Sequence, residues 1–280
     1  MKGLIITADD FGAAPQVNDA VEIAHRQGVL TAASLMVTAP AASDAARRAK
    51  AMPTLRVGLH LVLVDGRPAL AAAEIPDLVD ADGFFRADMA RTGAAMFFRP
   101  KVRRRLAAEI EAQFKAFAAT GLPLDHVNAH KHFHLHPTIA SLIVTIGRNF
   151  GLRAARVPLE PTNVLAKVEP NAKRAGASAL TPFARLLRRR FRSAGLLVPD
   201  QVFGLHWSGA MTRDRLRGIV ERLPDGLSEI YLHPATGSYT GSAAGYRYEE
   251  ELAGLLASEV AEAARAPDIR LGGFSDFPKR

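Results

Sequence analysis

The chain has 280 residues, with 36 Lys and Arg against 28 Asp and Glu, and a formal net charge of +8 with histidine neutral. Hydrophobic residues make up 48% and charged residues 23%, which excludes an intrinsically disordered chain and supplies material for a sizeable core. There is no cysteine, so disulfides, Cys-ligated zinc, iron–sulfur clusters and a cysteine nucleophile are excluded.

Short apolar runs alternate with helical patterns along the chain. Leu4–Thr7 reads as a buried strand, and it meets Asp9 and Asp10 too soon for a signal peptide. Pro15–Arg26 is helical with Gly28 as its stop, Ser34–Thr38 is a second strand, and Ala41–Ala51 a small helix. Arg56–Leu63 is a third strand, followed by a long irregular connection over Val64–Pro100. Lys101–Ala119 is an amphipathic helix, with Val102, Leu106, Ile110, Phe114 and Phe117 spaced by four and three. Leu124–Asn128 is a fourth strand, Pro137–Phe150 a helix with Pro at its start, and Arg153–Val157 a fifth strand. Pro158–Asp200 reads as an insertion. Val202–Leu205 is a sixth strand, Arg213–Leu223 a helix, Glu229–Leu232 a seventh strand, Glu249–Arg265 a helix, and Ile269–Gly272 closes the sheet.

Some seven βα units with apolar strands predict a parallel sheet wrapped by helices. The expected fold is α/β, a distorted (β/α) barrel, with an open doubly wound sheet as the second choice. No repeat or linker interrupts the series. The expectation is one domain over 1–280 with the insertion at about 158–200. The apolar run Ile139–Ile146 is too short to span a bilayer, so a cytoplasmic protein that at most lies on a membrane surface is expected.

Residues 165–193 carry eight Lys/Arg and one acid. This reads either as a solvated basic stretch or as a patch for an anionic membrane, because Phe183, Leu186, Leu187 and Phe191 interleave with Arg185, Arg188, Arg189 and Arg190. No nucleic-acid-binding motif is present, and no nucleic-acid partner is expected.

G-x-G-x-x-G, G-x-x-x-x-G-K-[ST] and G-x-S-x-G are all absent, which removes the signatures of dinucleotide-binding, P-loop and α/β-hydrolase enzymes. Polar residues instead gather at the C-terminal ends of the strands: Asp9 and Asp10, His60, Asn128 with His130, His132 and His134, Arg156, His206, and His233. In a parallel barrel those ends open on one face, where active sites form. Each residue alone has a plainer reading. His60 could be a hydrogen-bonded core residue, Arg156 the partner of a structural carboxylate, and His233 a capping residue. Five of the nine histidines fall within residues 126–136, a clustering that composition does not explain. Extended backbone would place His130, His132, His134 and His136 on one face, about 6.6 Å apart. One metal could not take all four, so one is expected to ligate and the others to support it or touch substrate.

These residues assemble into a metal-dependent amide hydrolysis. Asp10, His60 and His130 would bind a divalent ion, Asp9 would take the water's proton, and His233 would protonate the leaving amine. Arg156 would hold Asp9 ionised. A metal phosphoesterase and a non-enzymatic metal binder are the competing readings.

Thr7-Ala8-Asp9-Asp10-Phe11-Gly12, Gly58-Leu59-His60-Leu61, Asn128-Ala129-His130-Lys131-His132-Phe133-His134 and Leu232-His233-Pro234-Ala235 resemble the YdjC-like carbohydrate deacetylases, in order and over nearly the whole chain. Residues 58–70 and 122–137 further resemble the branch associated with hopanoid biosynthesis. The resemblance implies a distorted (β/α) barrel, Asp10, His60 and His130 as metal ligands, Asp9 as base and His233 as acid. It implies removal of the acetyl group from an N-acetylglucosamine-type sugar, either the head group of a hopanoid glycolipid or a soluble chitooligosaccharide. Zinc is the expected ion, favoured by the mixed O/N ligand set, with magnesium the alternative. His132, His134 and Asn128 are expected to contact substrate. The expected partners are an N-acetylated glycan or glycolipid, an anionic membrane surface and, as an assembly, a homodimer.

Overall fold

The computed structural model describes residues 2–170 and 177–278, and two of the basic residues counted above, Lys173 and Arg174, lie outside them. Seven strands form one sheet in which every ladder is parallel. They are β1 (Lys2–Phe11), β2 (Ala32–Leu35), β3 (Arg56–Leu61), β4 (Val127–Ala129), β5 (Gln201–Phe203), β6 (Gly226–Leu232) and β7 (Ile269–Leu271). Their order is β4-β3-β2-β1-β6-β5. One edge of β1 takes β6 along its length. The other is shared between β7, against Lys2–Leu4, and β2, against Thr7–Phe11.

The two outer strands are joined through the segment from Arg153 to Leu159. Val127 and Ala155 bridge in parallel, as do Ala154 and Leu197, and the N–H of Val202 donates to the carbonyl of Leu159 at 2.8 Å. The predicted distorted (β/α) barrel is the fold observed. Strands covered on both faces read as continuous apolar runs, and the nine residues of β1 after Lys2 are all buried.

The surrounding helices are α1 (Pro15–Gln27), α2 (Ala42–Lys50), α3 (Met89–Phe98), α4 (Pro100–Ala119), α5 (Pro137–Gly147), α6 (Thr162–Val168), α7 (Ala177–Ser193), α8 (Arg213–Val220), α9 (Tyr248–Leu256) and α10 (Ser258–Ala264). The fourth strand begins at Val127 rather than Leu124 and the seventh at Gly226 rather than Glu229, and other details depart further from the sequence reading. The second strand begins two residues earlier and ends three residues earlier, because the chain turns away after Met36 N bonds Phe11 O. The fifth strand is reduced to single bridges at Ala154 and Ala155. The long connection contains α3, capped by the Asp88 side chain. The single C-terminal helix is two, because the Leu255 carbonyl is taken by Val29 N at 3.2 Å and Ala257 becomes extended.

Within residues 158–200, α7 buries Ala184, Leu187 and Phe191 in the main core, a spacing of three and four. Phe183 and Leu186 stay outside, 59% and 63% exposed. Among the described residues no helix is long and apolar enough to cross a membrane.

Candidate active site

A cavity of about 490 Å3 opens at the C-terminal ends of the strands. Asp9, Asp10, His60, His130, His132 and His233 line it. Adjacent residues of a regular strand point to opposite faces. Asp9 and Asp10 nonetheless share the cavity, because the β1/β2 register shifts between Ala8 and Phe11 and Asp10 adopts φ 60°. The other non-glycine residues with positive φ among those described are Asp65, Lys131 and His132, and they too line it. Backbone strain is therefore concentrated around one site.

The histidine segment after β4 is not extended. It is a 3-10 turn over His130–Leu135, with Lys131 and His132 in the left-handed region. The expected single row of histidines is thus replaced by a fan. His130 turns to Asp10, with Nδ1 to Oδ1 at 3.2 Å. His132 Nε2 meets the Tyr231 hydroxyl at 2.9 Å. His134 turns inward and is 1% exposed. Lys131 pairs with Asp65 across the rim.

Asp10, His60 and His130 offer ligand atoms within 4.8 Å of one another. Their chemistry fits a cation. Asn128 uses its amide hydrogens on Asp9 Oδ1 at 3.1 Å and Ser34 Oγ at 2.9 Å. Its Oδ1 must then accept from His60 Nδ1, 2.6 Å away. That fixes the tautomer and leaves a lone pair on His60 Nε2, a buried atom with no hydrogen-bond partner that lies 3.3 Å from Asp10 Oδ1. Two acceptors facing each other at that distance call for a positive centre between them. The Asp10 carboxyl is held well below its usual range, because the neighbouring histidines outweigh burial.

Asp9 is almost completely buried and is clamped by Arg156, with Nη1 to Oδ2 at 2.5 Å and Nη2 to Oδ1 at 3.0 Å. Burial alone would raise its pKa, but the Arg156 charge wins and holds it far below the usual carboxylate range. Arg156 is itself fully buried and donates to Glu229, which also accepts from Thr7 Oγ1 at 3.0 Å. The carboxylates of Asp9, Asp10 and Glu229 thus face one buried arginine here, which leaves excess negative charge for a metal ion to balance.

His233 follows β6. Its backbone N–H donates to Glu251 at 2.5 Å, and its ring lies between those of Tyr231 and Tyr246, with centroids at 5.7 and 5.1 Å. Glu251 also accepts from Met211 N, so one buried carboxylate ties His233 to the loop before α8. His206 lies outside this group, with its backbone N–H donating to Glu160 and its ring against Trp207.

Asn128 and His134 were expected to contact substrate. Both are buried behind the cavity wall, Asn128 inside the polar network and His134 beneath the turn. The sequence reading missed Ser34, Glu229, Glu251 and the aromatic wall. One signal for that wall was available: all four tyrosines of the chain fall within residues 231–248, and all four line the cavity.

Among the described residues the open end of this parallel barrel thus gathers an Asp/His/His cluster that could hold a metal ion, an arginine-held carboxylate and a histidine, at the face where barrel enzymes carry their active sites. The model of the YdjC-like protein family matches residues 3–266, and the chain belongs to that family. It is 32% identical to a carbohydrate deacetylase of Brevibacillus brevis over 279 residues, covering 98% of this chain and 99% of that protein. It is 32% identical to a carbohydrate deacetylase of Geobacillus stearothermophilus, covering 92% of each. The solved structure of an Enterococcus faecalis protein, described as a cellobiose-phosphate cleavage protein, matches with a TM-score of 0.75 at 26% identity and 98% coverage of both chains.

Proposed function

We propose that this chain is a metal-dependent carbohydrate N-deacetylase, which removes the acetyl group from an N-acetylglucosamine-type sugar and releases acetate and the free amine. The observation that carries the reading is the convergence of Asp10, His60 and His130 with an Arg156-clamped Asp9 and with His233 in one cavity. Asp10, His60 and His130 would hold a divalent ion, zinc first and magnesium second, which would supply Lewis-acid polarisation of the amide carbonyl and a more acidic water. Asp9 accepts a proton as water adds to the carbonyl carbon. Arg156 keeps Asp9 ionised and oriented. His233 gives its proton to the amine as the C–N bond breaks. His132, which lines the cavity and meets the Tyr231 hydroxyl, would contact the sugar.

The test is acetate release by metal-stripped and zinc-restored protein, compared with the Asp9→Asn variant. Restored wild type releases acetate. The variant loses about 1,000-fold in turnover while elemental analysis finds its metal retained. Metal-bound wild type that releases no acetate from any N-acetylated sugar sinks the reading.

The finer substrate proposal is the head group of a hopanoid glycolipid, met at the cytoplasmic face of the membrane. It rests on the resemblance of residues 58–70 and 122–137 and on exposed Phe183 and Leu186 among exposed Arg185, Arg189 and Arg190. Co-sedimentation with anionic vesicles at low salt is expected, and Phe183→Ser/Leu186→Ser reduces it. No sedimentation of the wild type removes the membrane contact, and the soluble chitooligosaccharide then becomes the preferred substrate.

A further inference from the structure

We infer that Asp125, His126 and Ser34 form a positioning relay, which fixes the Asn128 amide and through it the metal-binding face of His60 independently of Asp9; the inference rests on the ligand set of the deacetylase reading. The three residues form one hydrogen-bonded line behind the cavity wall. Asp125 Oδ2 lies 2.9 Å from His126 Nδ1, His126 Nε2 lies 3.0 Å from Ser34 Oγ, and Ser34 Oγ accepts from Asn128 Nδ2 at 2.9 Å. Ser34, His126 and Asn128 are fully buried and Asp125 nearly so. Serine, histidine and aspartate in this order form the nucleophilic triad of many hydrolases, but here the serine is closed to substrate and already accepts an N–H. The line orients its neighbour and does not itself react.

The direction of every bond follows from the far end of the line. The N–H groups of Phe274 and Ser275 donate to Asp125 at 3.2 and 2.8 Å, so its carboxylate is an acceptor. Burial alone would raise its pKa, but His126 and Ser275 hold it below the usual value. His126 therefore donates from Nδ1 and accepts at Nε2, Ser34 gives it the hydroxyl proton, and Asn128 must turn an N–H toward Ser34. An imidazolium at His126 would leave that hydroxyl proton with neither of its two neighbours able to accept it. The Asn128 oxygen is then left for His60. The His126 ring has little room to turn. Phe274 stacks on it with centroids 4.2 Å apart, and a Cβ on Gly58 would lie 2.5 Å from its Nδ1. Asp9 makes the same demand on Asn128 from the other side. The base must exchange a proton at each turnover while the ligands stay in place, and a second hold on Asn128 separates those two tasks.

The test reads zinc affinity by chelator competition in the full-length protein, with Ser34→Ala made both alone and together with Asp9→Asn. Alone it is expected to cost at most about fivefold, the scale of one neutral hydrogen bond, because Asp9 still orients the amide. In the Asp9→Asn background it is expected to cost about 10-fold to 100-fold, the scale for losing the support of a metal ligand. His126→Asn keeps an N–H for Asp125, frees the Ser34 proton and should give the same pattern, so the test survives a Ser34→Ala chain that fails to fold. A substitution that merely loosened the core would cost the same in both backgrounds, and a loss no larger in Asp9→Asn overturns the relay. Imidazole-nitrogen NMR of stripped wild type needs no variant: His126 is expected to carry its proton on Nδ1 alone, and a proton on Nε2 overturns the relay. Zinc affinity that survives Asp10→Asn, or that wild type lacks, overturns the ligand set of the deacetylase reading instead.

Discussion

Asn128 joins the two halves of the chemistry. Its carbonyl orients His60, and its amide group bonds Asp9 and Ser34. An aspartate in its place could not donate to Asp9 and would set two carboxylates against each other, so the amide is the group that this network requires. Removing such a support typically weakens a metal site by about 10-fold to 100-fold. Asn128→Ala is expected to lose zinc affinity on that scale in a chelator competition, and an unchanged affinity would place the tautomer control elsewhere. His134 carries a different prediction. Both of its ring nitrogens are buried without partners, and burial, aided by the nearby Arg156 charge, pushes its pKa from 6.5 down to about 3. The unfolded chain protonates this histidine below pH 6.5, whereas the fold resists until near pH 3. Its contribution to stability is therefore full above pH 6.5 and is lost as pH falls toward 3, by about 2 kcal/mol between pH 7 and 5. At a fixed metal load, His134→Phe should flatten the acid side of the melting-temperature profile by that amount, and parallel profiles would contradict the assignment.

At the scale of elements, β1, β3 and β6 were legible because a mainly apolar run in each reaches a polar residue at its C-terminal end. Asp9, His60 and His233 could be placed from that alternation. The histidine turn was not legible. Lys131 and His132 occupy left-handed backbone without being glycine or asparagine, and no local signal announces that. Their conformation is accompanied by tertiary partners, Asp65 for Lys131 and Tyr231 for His132. The break between α9 and α10 was hidden for the same reason, since its cause is Val29, more than 200 residues away in the chain. Gly58, in contrast, explains itself once the neighbour is known. A Cβ there would lie 2.5 Å from both the ring and the carbonyl oxygen of His126 on the adjoining segment. Gly58→Ala should force β3 and β4 apart and destabilise the fold by about 1–3 kcal/mol. A shifted denaturation midpoint tests it, and an unchanged midpoint would mean that the His126 segment relaxes freely.

The whole molecule places the candidate ligands on β1, on β3 and just after β4, strands that lie on one run of the sheet with β2 between the first two. Ser34 of β2 fills the gap through its bond from Asn128. A metal at this position would tie together the open ends of strands that the sheet joins only by backbone ladders. An ion that binds the fold and not the unfolded chain stabilises by mass action, about 2.7 kcal/mol at 100 times its dissociation constant. For a protein of this size that corresponds to a rise of about 5–10 °C in melting temperature. Stripped protein should show that rise when zinc is restored. Asp10→Asn should abolish it, because the oxygen between the two histidines loses its charge. Asp9→Asn should keep it, because Asp9 answers to Arg156 and Asn128 rather than to the ion. A rise that survives Asp10→Asn would move the metal to other ligands. A rise lost in both variants would mean that the two aspartates hold the ion together, and the separation of ligand from base proposed here would fall.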